Sequence, residues 1–170
     1  MSKRFSVRDI VIIGMLAGLC IIATSIKIPY GAGAMVHLGT AAIYTSAILF
    51  GGKKAGLAAG IGSALFDIIM GLMTYTIWSF FIKGIAGFIV GSIANSGEAN
   101  GKSVVRNAIA CIAGALWTLA GYLVAWSVVQ GGLNVAITNI PSSLISSSVG
   151  FVIALPLATL LKNTLKKYQF

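Results

Sequence analysis

Six long apolar runs, at about 8–26, 35–51, 55–73, 77–95, 105–127 and 142–161, occupy most of the 170-residue chain, and Gly, Pro, Asn and Lys mark the breaks between them. A helix that crosses the roughly 30 Å hydrocarbon core of a bilayer takes about 20 residues, so six crossings use about 120 and leave about 50 for connections and tails. The runs therefore predict an all-α integral membrane protein, a six-transmembrane-helix bundle forming a single domain over 1–170, with no room for an added soluble domain. They are continuous rather than alternating, which disfavours a membrane β-barrel. Composition agrees: 58% of residues are hydrophobic and 9% charged, with a mean hydropathy of +0.98. The start, MSKRFSVRD and an apolar run to about Ile26, has the outline of a signal peptide. It lacks an A-x-A-like site followed by a polar mature region, and reads as an uncleaved first span.

Twelve Lys and Arg against three Asp and Glu give a formal charge of +9, and their distribution reads as topology. With the N-terminus cytoplasmic, the inner segments hold Lys3, Arg4, Arg8, Lys53, Lys54, Lys102, Arg106, Lys162, Lys166 and Lys167, while the opposite face holds Lys27 alone. That asymmetry places both termini in the cytoplasm. It also removes the case for nucleic acid, because the cations are not gathered on one amphipathic element. One histidine and two isolated cysteines, Cys20 and Cys111, supply no CxxC, no HExxH and no zinc ligand set. No metal site, catalytic residue or cofactor is assigned. The segment Gly97–Ser103 imitates a phosphate loop, but its first glycine is one residue too close to the GKS and no strand precedes it. Any ATP-driven transport would need another subunit.

Ionisable groups inside a bilayer are rare and mark function by default, which singles out Asp67 and Lys83. Counting from Tyr75 as the midpoint of the turn between the third and fourth runs puts both about 12 Å from it, in the outer half. Two readings stand: an ion pair that fixes helix register, or contact with a ligand. His37 opens the second run, and Tyr44 follows at i+7 on the same helical face; a capping or snorkelling histidine is the alternative. Trp78, with Tyr75, reads either as an interfacial aromatic or as part of the same site. Asn139 reads as a turn former or a pocket group. All converge on the outer half, where they describe a partly aromatic pocket for a planar polar ligand. Gly31 and Gly33 would let the first outer loop act as a lid; a slack connector is the alternative. Small residues at four-residue spacing (Gly14 and Gly18, Gly56 and Gly60, Gly87 and Gly91) serve close helix packing, either internally or against a partner.

The segment VHLGTAAIYTSAILFGGKKAGLAAGIGSALFDIIMG and the following IKGIAGFIVG resemble the substrate-binding S components of energy-coupling factor (ECF) vitamin transporters. The resemblance spans all six runs and is strongest from Val36 to Gly91; similar members carry Asp where this chain has Thr40. It implies a prokaryotic plasma-membrane protein, not an enzyme, that captures a vitamin outside and topples in the lipid bilayer to release it inside. Partners implied are a transmembrane scaffold subunit, the T component, and two cytoplasmic ATPases. The branch resembled takes small heteroaromatic B vitamins or precursors, hydroxymethylpyrimidine or pyridoxine. The expected pocket residues are His37, Tyr44, Asp67, Trp78, Lys83 and Asn139, and the family's docking motif would fall on Gly14, Ala17 and Gly18. A riboflavin-type S component and a stand-alone proton-coupled carrier are the competing readings.

Overall fold

The computed structural model describes residues 5–30 and 34–167. Lys3 and Arg4, counted with the inner cations, and Gly31 and Gly33, read as lid glycines, lie outside them. Helix α1 (Val7–Ser25) begins at a capping box, with the Asp9 N–H donating to Ser6 Oγ at 3.2 Å and the Ser6 N–H to Asp9 Oδ2 at 3.0 Å. A hairpin follows, in which β1 (Lys27–Tyr30) pairs antiparallel with β2 (Ala34–His37) and Lys27 stands opposite His37. The remaining helices are α2 (Gly39–Phe50), α3 (Gly52–Ile69), α4 (Met73–Ala94), α5 (Val104–Val129), the short α6 (Leu133–Thr138) and α7 (Ile140–Lys167), with one 3-10 turn at Gly97–Ala99.

Among the described residues four stretches are long and apolar enough to cross a membrane: α1, α4, α5 and Leu133–Lys162. Helix α2 is shorter than its apolar run because residues 34–37 are drawn into the hairpin. Its 12 residues rise about 18 Å. Helix α3 lies between α1 and α4, and its glycines set how closely they approach. A Cβ on Gly56 would stand 2.8 Å from the Gly84 carbonyl oxygen, and one on Gly87 3.0 Å from that of Ala55. Both therefore serve internal packing of α3 on α4. Gly87→Val is expected to lower stability by about 1–3 kcal/mol through overpacking, read as an earlier thermal unfolding midpoint in detergent.

One end of the bundle is tied shut. Lys54 pairs with Asp9 at 2.6 Å. Asn95 Nδ2 donates to the carbonyl oxygens of Ala47 at 3.1 Å, Ile48 at 3.3 Å and Gly91 at 2.9 Å. The loop that imitates a phosphate loop lies here, and two of its backbone donors are already bonded: the Gly101 N–H to Ala94 O at 2.9 Å and the Lys102 N–H to Ala99 O at 2.7 Å. Gly101 adopts φ +73° with Ile48 O crowding the place of a Cβ, a position that only glycine fills without strain. Polar groups at the opposite end border a cavity.

Candidate functional site

The cavity is walled by the hairpin, the ends of α1, α3 and α5, and the beginnings of α2, α4 and α7. It encloses about 730 Å³, counting the part open to the outside. Its two charged side chains come from α3 and α4. Asp67 is buried and borders the cavity, and its Oδ2 has no hydrogen-bond partner. Lys83, equally buried, donates to Thr40 Oγ1 at 3.5 Å and stands 5.3 Å from the centroid of the Tyr122 ring. The turn between α3 and α4 falls at 70–72, not at Tyr75, which sits in the first turn of α4. Asp67 is thus in the last turn of α3 while Lys83 is roughly three turns into α4. Their depths differ, and no ion pair joins them. Where an aspartate at position 40 would offer Lys83 a carboxylate, Thr40 offers a hydroxyl.

His37 ends β2 and borders the cavity. The Gly39 N–H donates to its Nδ1 at 3.1 Å, which leaves Nε2–H as the ring's donor. Burial first, then the Lys83 and Lys27 ammonium groups, hold its pKa well below the usual imidazole range, so it stays neutral. Lys27 spans the outside of the site, 4.9 Å from the centroid of the Phe66 ring. The apolar wall is Phe66 with Tyr122 and Trp126, whose rings stack at 5.4 Å and 29°. The Ser79 hydroxyl meets the Tyr122 phenol at 3.0 Å. Above them Gln130 Nε2 donates to the Tyr75 phenol oxygen at 2.9 Å and Asn139 Nδ2 to Gln130 Oε1 at 2.8 Å.

Of the six residues expected in the pocket, His37, Asp67 and Lys83 border the cavity, whereas Tyr44, Trp78 and Asn139 do not. Strand β2 breaks the helical phase between His37 and Tyr44, so the i+7 relation does not hold. Tyr44 is buried among Cys20, Ile48, Val90 and Cys111, and its phenol oxygen has no hydrogen-bond partner. Tyr44→Phe should therefore leave ligand affinity within about twofold and stability unchanged or higher by up to about 1 kcal/mol, measured by titration and thermal unfolding. Trp78 is half-buried on α4, and Asn139 is fully buried in the Gln130 network. The reading of residues missed Tyr122, Trp126 and the serines of α7; PSSLISSS carried the signal, hydroxyls at i, i+1, i+4 and i+5.

The candidate docking residues also separate. Ala17 packs inward with Ile13 and Ala58, and a Cβ on Gly62 would lie 2.7 Å from its carbonyl oxygen. A Cβ on Gly14 or Gly18 would meet nothing within 4 Å.

Fold and cavity define a class, a membrane-embedded helical bundle with a small-molecule site opening at one end. The family model for the ECF-type riboflavin transporter, S component, matches residues 4–163, and the chain belongs to that family. It is thus the substrate-binding subunit of a vitamin or vitamin-precursor transporter rather than an enzyme. Among its relatives is the thiamine precursor transporter HmpT of Lactococcus lactis subsp. cremoris, 28% identical over 137 residues that cover 81% of this chain and 75% of that protein. Another is an uncharacterized protein in gap 3'region of Pyrococcus woesei, 29% identical over 138 residues, 81% of this chain and 88% of that one. The solved structure of ThiT from Listeria monocytogenes shares the fold, with a TM-score of 0.66 over 94% of this chain and 96% of that chain at 16% identity.

Proposed function

We propose that this S component captures a small heteroaromatic B vitamin or precursor, with hydroxymethylpyrimidine or pyridoxine favoured, at the outer end of a six-crossing bundle whose termini are both cytoplasmic. The observation that carries the reading is the pair of opposite charges, Asp67 and Lys83, that border one cavity with no direct ion pair between them and with Asp67 Oδ2 lacking a hydrogen-bond partner. Burying them unpaired is costly, and a ligand with a donor edge for Asp67 and an acceptor for Lys83 removes that cost. His37 supplies a neutral donor, and the Tyr122 and Trp126 wall suits one planar ring. The relation to HmpT supports a thiamine precursor. The family's name favours riboflavin as the second reading.

Orientation follows from charge. Lys54 and Lys162 lie at the sealed end with the loop that bears Lys102, whereas Lys27 lies at the cavity end; the positive-inside rule turns the cavity outward in a prokaryotic plasma membrane. Delivery requires a T component and two ATPases, after which the bundle topples to release its cargo. Few buried charges make such a rotation in lipid affordable. The test is reconstitution in liposomes. ATP-dependent uptake of hydroxymethylpyrimidine only with the partner subunits supports the proposal, and uptake driven by a proton gradient through this chain alone replaces it with the carrier reading.

A further inference from the structure

We propose that Ser143 is a specificity-determining residue, its hydroxyl reading a hydroxyl group on the edge of the ligand that faces α7; the proposal rests on the capture function above. Ser142, Ser143, Ser146 and Ser147 fall at i, i+1, i+4 and i+5, which places them on one face of α7, and all four are buried and border the cavity. Their hydroxyls are not equally free. Ser142 Oγ donates to the Asn139 carbonyl oxygen at 2.7 Å. Ser146 is committed to the hairpin, donating to Met35 O at 3.3 Å and accepting from the His37 N–H at 3.4 Å. Ser147 makes no side-chain hydrogen bond among the described residues and lies on the Tyr44 side of this face.

Ser143 is 8% exposed, and among the described residues its hydroxyl has no hydrogen-bond partner. Apart from Ser147, the other cavity hydroxyls are engaged: Thr24 on Cys20 O, Thr40 with Lys83, Ser79 with Tyr122, Thr118 on Gly114 O, Tyr75 with Gln130, and Ser63 against Cys20 Sγ at 3.9 Å. A hydroxyl carries one donor and two acceptor positions, and that of Ser143 belongs to a residue that borders the cavity. Ser143 therefore offers both halves of a hydrogen bond to a group that can donate and accept, which a ligand hydroxyl does. It faces that task from α7, while Asp67 and Lys83 belong to α3 and α4. The ligand is then held by its charge-complementary edge on one side and by a hydroxyl-bearing substituent on the other, between aromatic faces.

The experiment compares two probes, hydroxymethylpyrimidine and the methyl analogue in which the hydroxyl is replaced by hydrogen, on the purified full chain. Wild type should bind the hydroxymethyl compound about 10-fold more tightly than the analogue. Ser143→Ala should lose about 10-fold for the hydroxymethyl compound and stay within twofold for the analogue, so that discrimination disappears; Ser148→Ala, exposed on the outer face of α7, should retain it. Each variant's unfolding midpoint is measured alongside, and Ser143→Cys carries the same comparison should the alanine variant not fold. Equal weakening of both probes, or no change in either, overturns the role of Ser143 while leaving the capture function standing. Wild type that binds neither probe overturns the proposal, and wild type that binds neither these probes nor pyridoxine overturns the capture reading itself.

Discussion

Lys83→Met is expected to weaken ligand binding about 100-fold, or about 3 kcal/mol, because it removes a buried charged donor and leaves its counterpart unbalanced. The side chain has one hydrogen-bond partner, Thr40, and a nearby ring face, Tyr122, so nothing else in the cavity takes over its role. Asp67→Asn should have a loss of the same order, since the free Oδ2 is the acceptor the ligand would fill. The double variant separates folding from binding: with both charges gone, the unfavourable burial is relieved. Its unfolding midpoint should match or exceed that of wild type while binding stays lost. Isothermal titration of the three variants checks this, and losses below about fivefold in both single variants would remove Asp67 and Lys83 from the site.

Gly14→Leu combined with Gly18→Leu is expected to leave binding by the isolated chain within about twofold and to abolish ATP-driven uptake by the reconstituted complex. Neither glycine has a neighbour within 4 Å of where a Cβ would stand, so the chain alone accommodates the larger side chains. Close approach of another helix at this face would not. Ala17 is a poor site for the same test, because it packs against α3 in the isolated chain. Uptake at wild-type rate with the double leucine variant would place the partner surface elsewhere.

The ends of α1, α4 and α5 fall within a few residues of the apolar runs that forecast them, because the length of an apolar run and its Gly, Asn and Lys boundaries are local properties. The hairpin was not legible in that way. Its residues 27–37 combine Gly and Pro with apolar side chains in a short stretch, and pairing of Lys27 with His37 is a contact across the turn that composition does not specify. That one element shortened α2 and shifted its phase, which is why Tyr44 went to the core while His37 stayed at the cavity. Asp67 and Lys83 stood out because charge within an apolar run is expensive wherever it occurs. Their relation was another matter: placing the turn at Tyr75 rather than at 70–72 gave equal depths, and the structure separates them. Tyr122 and Trp126 were hidden among aromatics that would equally face lipid. Ser142 and Ser143 were hidden because single serines in a membrane helix commonly satisfy themselves on a preceding carbonyl, as Thr118 and Thr159 do here.

The central claim, that this chain alone captures a small heteroaromatic vitamin or precursor, is tested most directly by tryptophan fluorescence titration of the detergent-purified protein without ATP or partners. Trp126 borders the cavity at 5% exposure, so a planar ligand against it changes its emission, and Trp126→Phe provides the control. Saturable quenching by hydroxymethylpyrimidine or pyridoxine at submicromolar concentration, absent with riboflavin and reduced about 100-fold in Lys83→Met, is the predicted result. Saturation by riboflavin alone, or no response to any of these compounds, would contradict it.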